Sequence, residues 1–200
     1  MTTQSNSSLP FGLDSAGVRK LADELVKTLT EGLAKSRRTK WTANGFDVLR
    51  NFRPLGMNLQ EFCRLPDSKG QKRGEFLWDY IAYEQGEGIL LAVESEWDFE
   101  NEHDLKHDFE KLLYVNSPLK LMLCRATTGA IADDIARKLG AYANEAFSHF
   151  GPGEIYILYC RVDSPEQSDK CYLWQDSREP TPRPTEPMNL SELEQTISLS

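Results

Sequence analysis

The stretch "EFLWDYIAYEQGEGILLAVESEW", Glu75 to Trp97, decides how this chain folds. Two runs rich in aromatic and branched apolar residues are separated by Gln85-Gly86-Glu87-Gly88, and β-favouring runs broken by glycine predict an antiparallel hairpin. With the loop symmetric about Gly86-Glu87, Ile81 stands opposite Ala92, Asp79 opposite Glu94 and Leu77 opposite Glu96. Side chains alternate across a strand. One face then carries Phe76, Trp78, Tyr80, Ile89, Leu91, Val93 and Trp97 and belongs to the core. The other carries Leu77, Ile81, Tyr83, Leu90 and Ala92, and ends in three carboxylates: Asp79, Glu94 and Glu96. An odd number of loop residues would instead place Asp79 and Glu94 on opposite faces.

Directly opposed residues lie about 4.5–5.5 Å apart between Cβ atoms, and like charges that close repel, the more so when partly buried. A proton, basic neighbours or a divalent cation would relieve the cluster. Carboxylate oxygens with water are the ligands that Mg2+ takes. A solvated strand end is the plainer alternative.

Outward from the hairpin, Asp14 or Ser15 caps a helix whose Val18, Leu21, Leu25, Leu29 and Leu33 recur at helical spacing. A short strand is predicted around Phe46–Leu49, and "MNLQEFCRLPDSKGQKRG" (57–74) reads as a loop. After the hairpin, "NEHDLKHDFEKLLYV" (101–115) is a helix with Leu105, Phe109, Leu112 and Leu113 on one stripe. "LKLMLC" (119–124) is a strand, Gly129–Phe150 a long helix, "IYILYCRV" (155–162) a buried strand and "CYLWQ" (171–175) an edge strand. The order is α-β-β-β-α-β-α-β-β, a mixed α/β domain. Residues 1–12 read as a flexible N-terminus, 13–176 as one domain and 177–200 as a Pro-rich tail.

The chain of 200 residues is long enough for one sizeable core. Its N-terminus lacks the pattern of a secretory signal and no apolar run could span a bilayer, so a cytoplasmic protein without membrane contact is expected. The four cysteines form no CxxC pair, and Cys124 and Cys160, inside apolar runs, read as buried free thiols. No Gly-rich strand–helix loop, Walker A motif or GxSxG is present. His103 and His107 have metal-binding spacing but no evident third ligand. Net charge is −8, unevenly spread: residues 1–74 hold 13 Lys/Arg against 7 Asp/Glu, and residues 75–200 hold 10 against 24. The basic third, with "KSRRTK" (35–40), Arg50, Arg53 and "KGQKR" (69–73), would suit a phosphate-contacting rim, or simply a solvated surface.

A hairpin aspartate, then about fifteen residues on a strand ending Glu-x-Glu-Trp, then an Asp-Leu-x-x-Phe-like helix, here with one more residue before Phe109 ("ESEWDFENEHDLKHDF", 94–109), resembles the Glu-x-Glu variant of the PD-(D/E)xK nuclease superfamily. That family has a restriction-endonuclease-like core of order α-β-β-β-α-β, here followed by an added helix and strands. The resemblance runs from about Asp14 to Cys124. It implies metal-dependent hydrolysis of phosphodiester bonds in a nucleic acid, DNA before RNA, with Asp79 and Glu94 holding Mg2+ or Mn2+. Glu96 stands where the family's lysine is usual and would orient or deprotonate the attacking water. Lys111, on the following helix, could instead supply the missing positive charge from a migrated position, the plainer alternative being a solvated helical lysine. Glu75, Glu24 and Glu31 are further acidic candidates. A homodimer would suit duplex cutting, one site for each strand. The alternative is a catalytically inactive protein on the same fold, acting as a nucleic-acid- or protein-binding module.

Overall fold

A computed structural model describes residues 10–34, 41–54, 56–63, 77–97, 102–146, 153–164, 166–175 and 188–189. These form four α-helices and a mixed sheet of six strands, extended by a two-residue seventh. In chain order the elements are α1 (Ser15–Ala34), α2 (Trp41–Leu49), β1 (Gln60–Cys63), β2 (Tyr80–Glu84), β3 (Gly88–Glu96), α3 (Glu102–Leu113), β4 (Leu119–Ala126), α4 (Gly129–Ala146), β5 (Ile155–Val162), β6 (Lys170–Gln175) and β7 (Met188–Asn189). The strands lie in sequence order across the sheet. β1, β2 and β3 pair antiparallel, β3, β4 and β5 pair parallel, and β6 and β7 are again antiparallel. Parallel neighbours need crossovers, and α3 and α4 supply them.

Both faces of the sheet are covered. α1 and α2 pack on the face bearing Tyr80, Leu91, Val93, Leu121 and Ile157. α3 and α4 pack on the opposite face, bearing Ile81, Ala92, Met122, Tyr156 and Leu158. The carboxylate face of the hairpin is therefore core as well.

Asp14 caps α1, its Oδ1 accepting the Gly17 N–H at 2.7 Å. All five residues of the predicted α1 stripe are buried, as are Leu105, Phe109, Leu112 and Leu113 of α3. α1 and α2 approach closely at Gly32: a Cβ there would lie 2.6 Å from Val48 Cγ1. Gly32→Ala is expected to destabilise the protein by about 1–3 kcal/mol, because the overlap outweighs the better helix propensity of alanine. Urea unfolding that shows no loss would contradict this helix contact.

Three expectations change. Phe46–Leu49 is not a strand but the end of α2. Phe46, Val48 and Leu49 are buried, and that i, i+2, i+3 spacing fits one helix face once Gly45, also buried, is included. The first strand is instead β1, inside the segment read as a loop. It is short and only half covered, so it carries polar residues and shows little periodicity. β6 is not an open edge, since β7 pairs with it through Tyr172–Asn189 and Leu173–Met188. The basic segments 35–40 and 69–73, Glu75, Phe76, and the 1–9 and 190–200 ends lie outside the described residues. Among the described residues, no helix is long and apolar enough to cross a membrane.

Candidate active site

The loop between β2 and β3 does have an odd number of residues. Glu84 pairs with Gly88, leaving Gln85, Gly86 and Glu87 in the turn. Gly86 takes φ +93°, which glycine adopts at little cost. The register shifts once, between Ala82 and Tyr83, so that Leu90 has no partner. This bulge offsets the odd loop. Beyond it the pairs are Ala82–Leu91, Ile81–Ala92 and Tyr80–Val93, as a symmetric loop predicts. Ile89 and Leu90 exchange faces: Leu90 joins the α1/α2 side and Ile89 the α3/α4 side. Trp78, expected beside Tyr80, packs instead on the α3/α4 side, because the backbone bends at residues 77–79 before the strand begins.

Asp79 thus reaches β3 next to Glu94, and its Oδ2 accepts the backbone N–H of Ser95 at 3.0 Å. Glu94 is only 1% exposed. The register neighbours of Glu94 across the sheet are Met122 and then Leu158, both buried. Below lies Tyr156, fully buried against Phe109 with ring centroids 4.5 Å apart. Burial, then the charges of Glu94 and other acidic neighbours, push the Tyr156 hydroxyl well above its ordinary value.

α3 brings Lys111 to the same point. Its Nζ is 3.0 Å from Glu94 Oε1 and 2.7 Å from Asp108 Oδ1. The approach to Glu94 is close but off the hydrogen-bond direction, so Oε1 is charge-compensated without an aligned donor. Burial, followed by the Asp79 charge, pushes the Glu94 carboxyl up to about 8, with Asp108 adding to the shift and Lys111 acting against it. Burial acts to lower the Lys111 ammonium, but Asp108 and Glu94 together outweigh it and hold the group above its ordinary value. The Trp78 indole N–H donates to the Lys111 carbonyl at 3.4 Å, joining the approach to β2 to α3.

The structure therefore joins Asp79, Glu94 and Lys111, and adds Asp108. The signal for Asp108 was its place one helical turn before Lys111, in "DFEK". Glu96 ends β3, half-buried, with its Oε1 accepting the Trp97 N–H at 2.7 Å. The largest charge effects on Glu94 come from Asp79, Lys111 and Asp108. Trp97 faces the other way, its indole N–H bonded to Thr42 Oγ1 of α2. Glu24 and Glu31 are exposed on α1, across the sheet from Glu94. His103 and His107 are both exposed on α3.

The donors here are hard oxygens, as Mg2+ prefers, and a buried Glu94 with a raised proton affinity would be stabilised by a cation. Among the described residues, no three His, Cys, Asp or Glu side chains converge on one point. Asp79 and Glu94 are thus the two carboxylates that the described residues would offer a cation here, with the Lys111 ammonium already 3.0 Å from Glu94 Oε1. Comparison with protein-family models, curated proteins and solved structures returned no match to this chain.

Proposed function

We propose that the chain is a metal-dependent nuclease with a restriction-endonuclease-like core, hydrolysing phosphodiester bonds in DNA with Mg2+ or Mn2+ held by Asp79 and Glu94. The observation that carries this reading is the buried Glu94, beside Asp79 and 3.0 Å from a lysine of the next helix. The order α1-β1-β2-β3-α3-β4, with α2 as an insertion, supports the α-β-β-β-α-β core.

When bound, the ion would polarise the scissile phosphate and lower the pKa of its water. Asp79, anchored by the Ser95 N–H, presents a fixed carboxylate. Glu94 would have to be ionised to hold the cation, so affinity for metal is expected to rise with pH. Lys111 supplies a positive charge where negative charge gathers on the phosphate oxygens, replacing the lysine that the Glu-x-Glu strand lacks. Glu96, on the same face as Glu94 at the strand end, orients or deprotonates the attacking water. A homodimer would present two such sites to a duplex.

The test is cleavage of plasmid and short duplex DNA with Mg2+ or Mn2+. Asp79→Ala and Lys111→Ala are each expected to lose at least about 100-fold. Activity that survives Asp79→Ala overturns the reading. Manganese at millimolar concentration is expected to raise the melting temperature of the wild type and not of Glu94→Ala. A specific observation favours a second reading, a non-catalytic binding module on the same fold: the Lys111 ammonium already sits against Glu94, where it compensates the charge without a metal. In that case melting is insensitive to manganese and DNA stays intact.

A further inference from the structure

We infer that Asp108 is a positioning residue: it holds the Lys111 ammonium over Glu94, so that a lysine from α3 does the work of the one missing from the strand. The inference rests on the nuclease reading above and adds to it a residue that never touches the substrate. Lys111 Nζ lies between two acceptors, Asp108 Oδ1 at 2.7 Å and Glu94 Oε1 at 3.0 Å. Two fixed acceptors define a position; one leaves a four-carbon side chain free to swing. Both side chains lean toward the N-terminus of α3, since every Cα–Cβ bond of a helix tilts that way. That lean carries Lys111 from the helix toward Asp108.

Helical pairs at this spacing are usually surface decoration worth a few tenths of a kcal/mol. This one differs in burial. The Lys111 and Asp108 side chains are 22% and 17% exposed, against 42% and 45% for Lys106–Glu110 on the same helix. The Asp108–Lys111 pair also reaches off its own helix to a strand residue that is 1% exposed. An ion pair that served only the helix would have no need of Glu94. Burying Asp108 near Glu94 also raises repulsion in the site, a cost that a purely structural pair would avoid.

The experiment is a double-mutant cycle on DNA cleavage with Mg2+ or Mn2+. Asp108→Asn keeps the shape and removes the charge. It is expected to lower kcat by about 10- to 100-fold with KM for DNA nearly unchanged, as a misplaced catalytic group does. Asp108→Glu is expected to restore part of the loss. In a Lys111→Ala background, Asp108→Asn is expected to cost nothing further, because it acts only through the lysine. Asp108→Ser serves for the same comparison if the asparagine variant does not fold. Equal losses in the two backgrounds overturn the inference, as does full activity of Asp108→Asn while Asp79→Ala is dead. A wild type that cuts no DNA with either metal overturns the nuclease reading, and this inference with it.

Discussion

On the nuclease reading, Glu94→Gln is expected to abolish metal-dependent cleavage while making the metal-free protein more stable at pH 9. The carboxyl is pushed up to about 8 by burial first and by Asp79 second, so the folded chain binds its proton far more tightly than the unfolded chain does. The stabilising effect of that proton is whole below the ordinary carboxylate range. It drains as pH rises and is gone above about 8, where the folded state must bury an ionised carboxylate. At about 1.4 kcal/mol for each factor of ten in proton affinity, the swing is on the order of 3–5 kcal/mol. Glutamine has the same shape and no charge to bury. It should recover roughly 2–4 kcal/mol at pH 9 and almost nothing at pH 4, with Lys111 still paired to Asp108. Urea unfolding in chelator at the two pH values measures this. Equal stability of the two proteins at pH 9 would mean that Lys111 already compensates the carboxylate in full.

The paired outcome separates roles that either measurement alone would confuse. A buried glutamate kept only for structure should leave a less stable protein when its charge is removed. A glutamate kept for function should leave a more stable and inactive one, because functional sites hold groups at a cost to stability. Glu94 has the features of the second kind: an oxygen without an aligned donor, a nearby like charge, and an apolar floor formed by Tyr156 and Phe109.

How much of this was legible in the sequence depended on whether the signal was periodic or depended on spatial contacts. The α1 and α3 stripes were readable because a helix that buries one face repeats its apolar residues. The meeting of Asp79 and Glu94 was readable from strand alternation, but for a reason only half right. The loop is not symmetric. A three-residue turn and a bulge at Leu90 cancel, and nothing in "GILLAV" distinguishes a bulged leucine from a paired one. β1 was missed because an edge strand of four residues, half exposed, has no apolar period to read. The end of α2, Phe46–Leu49, mimics a short strand in the sequence because a nine-residue helix shows only about two and a half turns of pattern. Strand alternation does not give the side of Trp78, because that residue precedes the start of β2 at Tyr80. Asp108 carries only the weak signal of an i, i+3 helical pair with Lys111; what sets it apart is Glu94, fourteen residues away and on another element.

Lys120→Ala is expected to be among the most destabilising single changes in the chain, at about 3–5 kcal/mol. Lys120 lies in β4 with its side chain 1% exposed and its Nζ 2.5 Å from Glu154 Oε2, whose side chain is 6% exposed. Burial pulls the lysine below its ordinary value, while Glu154 acts in the opposite direction. The ammonium also donates to the Leu113 carbonyl at the end of α3, at 3.4 Å. Truncation would leave Glu154 buried without its cation, and an orphaned carboxylate in an apolar interior is what makes such losses large. Replacing both partners tests this account. Lys120→Met with Glu154→Leu removes both charges at similar volume, and should recover most of the loss. If the double variant is as unstable as Lys120→Ala, the lysine acts through packing or the Leu113 bond and the ion pair is incidental. Leu113 is two residues beyond Lys111, so the same lysine holds the end of the helix that presents Lys111 to Glu94. The double variant is therefore expected to melt near the wild type and, on the nuclease reading, to cut DNA more slowly, since stability returns with matched apolar groups while the anchor on the α3 carbonyl does not.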